Sequence, residues 1–184
     1  FVDTDTTIWT GILQEAFSIT TKPLLSWQGG RFDLSTVSNK LVALSTIKNQ
    51  LKNEPYASLV ESVEKIVCEL GVNQARLVDN NSSYKMLDSK SVSEMVNSGL
   101  IDFGAHTHTH PILSKLTERE QEAEISKSIE IISTFIGQSC DFFAYPNGGK
   151  MDYDATTLSI LEKYGIKAAL TTIAGTSDQV TPLM

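Results

Sequence analysis

The chain has 184 residues, 41% of them hydrophobic and 20% charged, with a formal net charge of −7. That size and balance suit one globular domain with a sizeable core, and an acidic chain with no basic stripe argues against a nucleic-acid partner. No apolar run approaches the ~18 residues that suggest a membrane span. The two cysteines, Cys68 and Cys140, form no close metal-binding pair and leave either reduced thiols or one disulfide open.

In chain order, Phe1-Val2 reads as the tail of a strand. From Thr6 to Phe17, residues Ile8, Trp9, Ile12, Leu13, Ala16 and Phe17 share one face of a predicted helix. Two short apolar pieces between Lys22 and Leu34 flank Gln28-Gly29-Gly30-Arg31 and predict a hairpin. Trp27, beside that turn, is a candidate substrate-binding residue as a carbohydrate-stacking platform, or else hairpin packing. Val37, Leu41, Leu44 and Leu51 mark the inward face of one helix, which ends near Asn53-Glu54-Pro55. Leu59, Val60, Val63, Ile66, Val67 and Leu70 mark the next, with Gly71 at its C-terminal cap. Gln74 to Lys85 carries loop chemistry, and a short helix over Ser89 to Ser98 is expected to turn Val92, Met95 and Val96 inward.

From Leu100 onward the pattern alternates. Leu100 to Ala105 reads as a strand. Thr117-Glu118-Arg119-Glu120 is a capping box, opening a helix whose inward residues are Ile125, Ile129, Ile132, Phe135 and Ile136 and which stops at Gly137. Cys140 to Tyr145 predicts a second strand, ending in Pro146-Asn147-Gly148-Gly149. A helix over Asp154 to Tyr164, with Leu158 and Leu161 buried, leads to a third strand over Ile166 to Thr172. Strand, helix, strand, helix, strand at this spacing implies an α/β fold with parallel pairing. Three strand ends then converge where α/β enzymes place their sites: the residues after Ala105, Tyr145-Pro146-Asn147, and Thr171-Thr172.

All three histidines stand in one run, Gly104-Ala105-His106-Thr107-His108-Thr109-His110-Pro111. Imidazoles gathered at a strand end are a ready set of metal ligands. Fully extended, the run would aim all three rings at one face. If it turns, His106 and His110 fall together and His108 points away; Pro111, which cannot donate to a ladder, favours the turn.

His106-Thr107-x-x-His110-Pro111, followed by Leu113-Ser114-Lys115-Leu116 and a capped acidic helix, resembles the second motif of the polysaccharide deacetylase family, carbohydrate esterase family four. Phe143-Ala144-Tyr145-Pro146-Asn147-Gly148 resembles its third motif, in the branch reading FAYPxG, and Tyr164 to Thr172 resembles the strand that follows. The likeness runs from Tyr84 to Thr176; residues 1–83 fit as the variable insertion between the family's first and second motifs, within a single deacetylase domain over 1–184.

The resemblance implies an incomplete, distorted (β/α) barrel that hydrolyses acetyl groups, usually N-acetyl, from a glycan substrate. It implies zinc or another divalent metal held by one Asp and two His, which by position are His106 and His110. Thr107 and Pro146 would support the two loops, and the backbone N–H of Asn147 would stabilise the tetrahedral oxyanion. Tyr145 is a second candidate for the catalytic site, or a residue that packs and shapes the groove.

The sequence departs from the family in places that bear on chemistry. The first motif, T-F-D-D-G, supplies the base and the carboxylate ligand, and no Asp-Asp pair occurs here. The chain is expected to begin just after the strand following that motif; Asp3 and Asp5 sit too late to match it, and Asp178 to Met184 resembles the family's end. Ala144 stands where other branches carry an Arg, and no histidine is left for the usual general acid. The expectation is a deacetylase-type chain that is inactive alone. Two alternatives stand beside it: a non-catalytic carbohydrate-binding or scaffold remnant, and another metallo-hydrolase built on the histidine cluster. The metallo-β-lactamase signature H-x-H-x-D-H does not fit the latter, because no Asp follows His108 in this run.

Overall fold

Gln28 and Gly29 both take positive φ, 46° and 78°. A two-residue turn of that kind matches the twist of an antiparallel pair and closes it tightly. In the computed structural model, which describes residues 8–73 and 86–175, the turn joins β1 (Leu24–Trp27) to β2 (Gly30–Asp33), with Leu25 opposite Phe32 and Trp27 opposite Gly30. The sequence readings at Phe1-Val2, Asp3, Asp5, Gln74 to Lys85 and Asp178 to Met184 fall outside the described residues.

The backbone divides into two units, Phe1–Met86 and Leu87–Met184. In the first, α1 (Trp9–Ile19), α2 (Val37–Leu51) and α3 (Tyr56–Glu69) pack with the hairpin around Leu13, Phe17, Leu25, Ile47, Leu51 and Ile66. Thr36 caps α2 by accepting the Asn39 N–H at 3.1 Å. The expected inward face of α2 is partly wrong: Val37 and Leu41 are 75% and 60% exposed, while Ala43, Leu44, Ile47 and Leu51 are buried. Val37 stands at the first turn of the helix, and Lys48, four residues after the buried Leu44, is itself half-buried, its ammonium pushed down by desolvation. The helix instead turns Ala43 and Ile47 to the core. Trp27 packs, half-buried, against this same core.

In the second unit, α4 (Ser89–Ser98) is capped by Asp88, which accepts the Ser91 N–H at 2.7 Å, and is closed by Gly99 at φ 65°. The helix α5 (Glu118–Ile136) starts at the capping box: Thr117 Oγ1 accepts the Glu120 N–H, and Glu120 Oε2 accepts the Thr117 N–H at 2.8 Å. Two strands, β3 (Phe142–Ala144) and β4 (Ala168–Leu170), pair in parallel with Phe143 opposite Ala169, connected through α6 (Ala155–Lys163). Phe143, Ile125, Leu113 and Leu161 form the centre of this unit's core.

The α/β class is present, and no closed barrel forms among the described residues: the strands make two two-stranded sheets. The strand expected over Leu100 to Ala105 shrinks to one parallel bridge, Ala105 to Phe143. Leu100 and Ile101 are 86% and 49% exposed, so this segment has neither the burial nor the second hydrogen-bonding neighbour that would extend a ladder there. Cys68 and Cys140 are both free thiols. No helix among the described residues is long and apolar enough to cross a membrane.

The capping box sets where α5 begins. Replacing Thr117 with Ala is expected to cost about 1 kcal/mol in urea unfolding through the lost cap. The carboxyl of Glu120 lies below its ordinary value, first because the Thr117 hydroxyl donates to it and then because the Thr117 N–H does. A depressed acid stabilises the fold fully above its unfolded pKa and loses that contribution as pH falls through the folded one. The gap between wild type and Thr117→Ala should therefore narrow on acidification, and a gap that stays constant to acid would place the helix start elsewhere.

Candidate functional site

The histidine run is built as a turn fastened at both ends. At its start, the Ala105 N–H donates to the Phe142 carbonyl and the Ala144 N–H donates to the Ala105 carbonyl, both at 2.8 Å. This bridge fixes the chain against β3. One residue on, the His106 N–H donates to Ser128 Oγ on α5 at 3.1 Å. The backbone then turns sharply, with Thr107 and His110 at φ 62° and 64°. A β-branched residue at positive φ is strained and persists only when its surroundings hold it there. Here Thr107 is buried; its hydroxyl donates to the His106 carbonyl at 2.6 Å and accepts the His110 N–H at 3.1 Å.

The turn brings the rings of His106 and His110 together, centroids 4.8 Å apart and planes at 72°. His108 is exposed, and its backbone N–H is engaged by Glu124 on α5. The carboxylate of Glu124 takes the His108 N–H at 2.8 Å and the Thr109 N–H at 2.7 Å on one oxygen, and the Thr109 hydroxyl at 2.7 Å on the other.

His106 Nδ1 lies 2.7 Å from the Ala144 carbonyl. A carbonyl only accepts, so Nδ1 is the donor in this bond, and in the neutral ring Nε2 then carries the lone pair. That is the arrangement in which an imidazole binds a metal: one nitrogen oriented by a carbonyl, the other a donor to the ion. Among the described residues no group of three or more His, Cys, Asp or Glu side chains gathers to hold an ion. The pair therefore fits two positions of a metal's ligand set and does not by itself make three.

The third-motif residues lie on the loop after β3. Tyr145 is 2% exposed, stacked on Tyr153 at 4.0 Å and edge-on to Phe143 at 5.6 Å. Burial, and then the neighbouring Tyr153, push its phenol well above the ordinary value. Pro146 is buried. Asn147 and Gly148 follow at φ 60° and 68°, and the end of β4 holds them: Thr172 Oγ1 donates to the Asn147 carbonyl at 2.7 Å, and the Thr172 N–H donates to the Gly148 carbonyl at 3.0 Å. A Cβ on Gly148 would lie 2.7 Å from the Thr172 nitrogen, so this turn needs glycine for space as well as for φ. The side-chain Nδ2 of Asn147 is buried with no hydrogen-bond partner.

Thus the second and third motifs meet at one carbonyl, that of Ala144, while Trp27 belongs to the other unit and packs on that unit's core. Sequence reasoning missed Glu124 and Ser128. Ser128 left a signal as a polar residue interrupting the inward stripe of α5 between Ile125 and Ile132, whereas Glu124 reads as one more acid on an acidic helix.

A family model described as polysaccharide deacetylase matches residues 70–169. Among solved structures, a Streptococcus pyogenes deacetylase in complex with acetate is 28% identical, with a TM-score of 0.46 over 52% of this chain and 40% of that one. A family 4 carbohydrate esterase from Streptomyces lividans, also in complex with acetate, is 27% identical, with a TM-score of 0.40 over 45% of this chain and 40% of that one. A polysaccharide deacetylase from Bacillus cereus is 31% identical, with a TM-score of 0.44 over 53% of this chain and 29% of that one. The chain thus spans less than half the length of each of these proteins. No protein of curated function matches it.

The Thr107 hydroxyl is the acceptor that closes the turn. Thr107→Ala should cost about 1–2 kcal/mol by leaving the His110 N–H without that partner, whereas Thr107→Ser should cost less than half as much because it keeps the oxygen. Equal losses in urea unfolding would show that the methyl group, not the hydroxyl, holds the turn.

Proposed function

The chain belongs to the polysaccharide deacetylase family, and from that premise we propose that it contributes His106 and His110 to a metal-dependent site hydrolysing acetyl groups on an acetylated glycan. The observation that carries this reading is the paired rings at 4.8 Å, with His106 oriented through the Ala144 carbonyl. Zinc, or another divalent ion, would be held by these two imidazoles; when bound it polarises the acetyl carbonyl and acidifies a water. The protein's own groups do the rest. Thr107 and the bridge at Ala105 keep the two rings facing one another. The backbone N–H of Asn147, in a turn held open at positive φ, is the candidate donor to the oxyanion, and the buried unpartnered Nδ2 beside it supports a ligand oxygen at that place. Tyr145, stacked and buried, shapes the floor of the loop.

The sequence has no Asp-Asp pair, so a positioned base is missing from this reading, and with it a contribution of typically ~10²–10⁴-fold to the rate. We therefore expect weak zinc binding and little acetate release from acetylated chito-oligomers by these 184 residues. A non-catalytic glycan binder stands as the second reading, since no Asp-Asp pair occurs in the sequence. The other-metallo-hydrolase alternative gains nothing from the family match.

Calorimetric titration with zinc separates these. His106→Ala and His110→Ala should each weaken binding at least about tenfold, and His108→Ala should leave it unchanged. Zinc bound equally by wild type and by the His106→Ala, His110→Ala double variant would refute the metal pair. Glycan binding without any acetate release, zinc present, would favour the second reading.

A further inference from the structure

The turn that carries the histidines contains two left-handed residues, Thr107 and His110, and between them lie His108 and Thr109. Such a segment does not hold its shape through local preference. Its middle is gathered instead around one side chain, the carboxylate of Glu124, which accepts three hydrogen bonds of 2.7–2.8 Å from two backbone N–H groups and a hydroxyl. Four residues further along α5, Ser128 takes the N–H of His106. Positions four apart share one helix face, so α5 presents a two-point clamp to the loop. Charge-assisted hydrogen bonds are roughly twice as strong as neutral ones, and Glu124 is the charged member of the clamp.

We propose that Glu124 is a positioning residue for the metal pair: by holding the His108-Thr109 backbone, it keeps His106 turned onto the Ala144 carbonyl and its Nε2 available as a donor. The proposal rests on reading His106 and His110 as the metal ligands, and it adds a residue outside both motifs that sets how well they act. Glu124 touches neither ring in any bond described above; it acts through the backbone between them. The charge itself is not the requirement. A Gln at this position keeps one oxygen able to accept both N–H groups, and its amide can donate to the Thr109 hydroxyl.

The test compares Glu124→Ala, Glu124→Gln and, as a control, Glu122→Ala. Glu122 sits on the same helix and accepts from Lys163 Nζ at 2.6 Å and Tyr164 Oη at 2.9 Å, away from the histidine turn. Long-range proton–nitrogen spectra at about pH 8 report the imidazole tautomer when the ring is neutral. Wild type should show His106 with its proton on Nδ1. Glu124→Ala should shift it toward the Nε2–H form that free imidazole side chains favour and weaken zinc binding ~10–100-fold. Glu124→Gln should retain the tautomer and most of the affinity, and Glu122→Ala should lower stability without moving either readout.

A Glu124→Ala protein with the wild-type tautomer and zinc affinity would overturn the proposal, whatever its stability. So would a Glu124→Gln protein as damaged as the Ala variant. If wild type binds no zinc yet the tautomer moves in the Ala variant and returns in the Gln variant, the metal reading fails and the positioning role stands. Should Glu124→Ala not fold, Thr109→Val, which deletes the hydroxyl's bond to Glu124, must show the same shifts at smaller amplitude; their absence would count against Glu124.

Discussion

The peptide groups of Ala144 are the point on which the rest of the site depends. Its N–H donates to the Ala105 carbonyl and so fixes where the histidine turn leaves the sheet. Its own carbonyl accepts from His106 Nδ1 and so fixes how the first ring faces. Both bonds come from backbone, and neither depends on the side chain. The orienting work is done by a peptide unit already locked in β3 between the Ala105 bridge and β4. A shift of one residue in that parallel register would move both bonds together.

The second constraint is strain. Thr107, His110 and Asn147 all lie in the left-handed region without being glycine. Such conformations cost of order 1–3 kcal/mol each, so each needs holding from outside. Thr107 and His110 hold one another through a hydroxyl and an N–H, and Glu124 and Ser128 hold the stretch around them. Asn147 is held by Thr172 at the end of β4. Asparagine tolerates this conformation better than most residues and Gly148 adopts it freely, so the third-motif turn is the less strained of the two. The histidine turn is where stability is given up for geometry, and it is correspondingly the more heavily braced.

Much of this was legible in the sequence, and the gaps have physical causes. Thr117 to Glu120 announces a capping box because its signal is local chemistry: a hydroxyl and a carboxylate three residues apart. The hairpin at Gln28-Gly29 and the helix ends at Gly99 and Gly137 were equally local. The meeting of His106 with His110 could be anticipated from their spacing and Pro111, although the turn achieves it through positive φ and not through a helix. What sequence could not give was set by tertiary surroundings. Apolar residues at Leu100 and Ile101 suggested a strand, yet a ladder needs a neighbour and only Ala105 finds one. The α2 stripe through Val37 and Leu41 is exposed because tertiary packing takes Ala43 and Ile47, with Leu44 and Leu51, into the core. Glu124 looked like one acid among many on an acidic helix, because nothing local reveals that two N–H groups will converge on it.

The helix α5 couples the two kinds of information. Gln121, Glu124, Ile125 and Ser128 are spaced to fall on one face, and the ends of this set are seven residues, about 10 Å, apart along the axis. Ile125 is fully buried in the core of the unit. Glu124 and Ser128 grip the histidine turn. Gln121, also buried, accepts the Thr157 hydroxyl at 2.6 Å, and Thr157 in turn belongs to the capping box that opens α6. One face of one helix therefore registers the turn, the core and the start of the next helix together. A rotation of ~100°, one residue of phase, would lose all of these at once. The helix starts at Thr117, one turn before Gln121, where the capping box satisfies N–H groups left without a helical partner. The same helix that opens at the cap thus carries the two side chains that hold the turn between the imidazole pair.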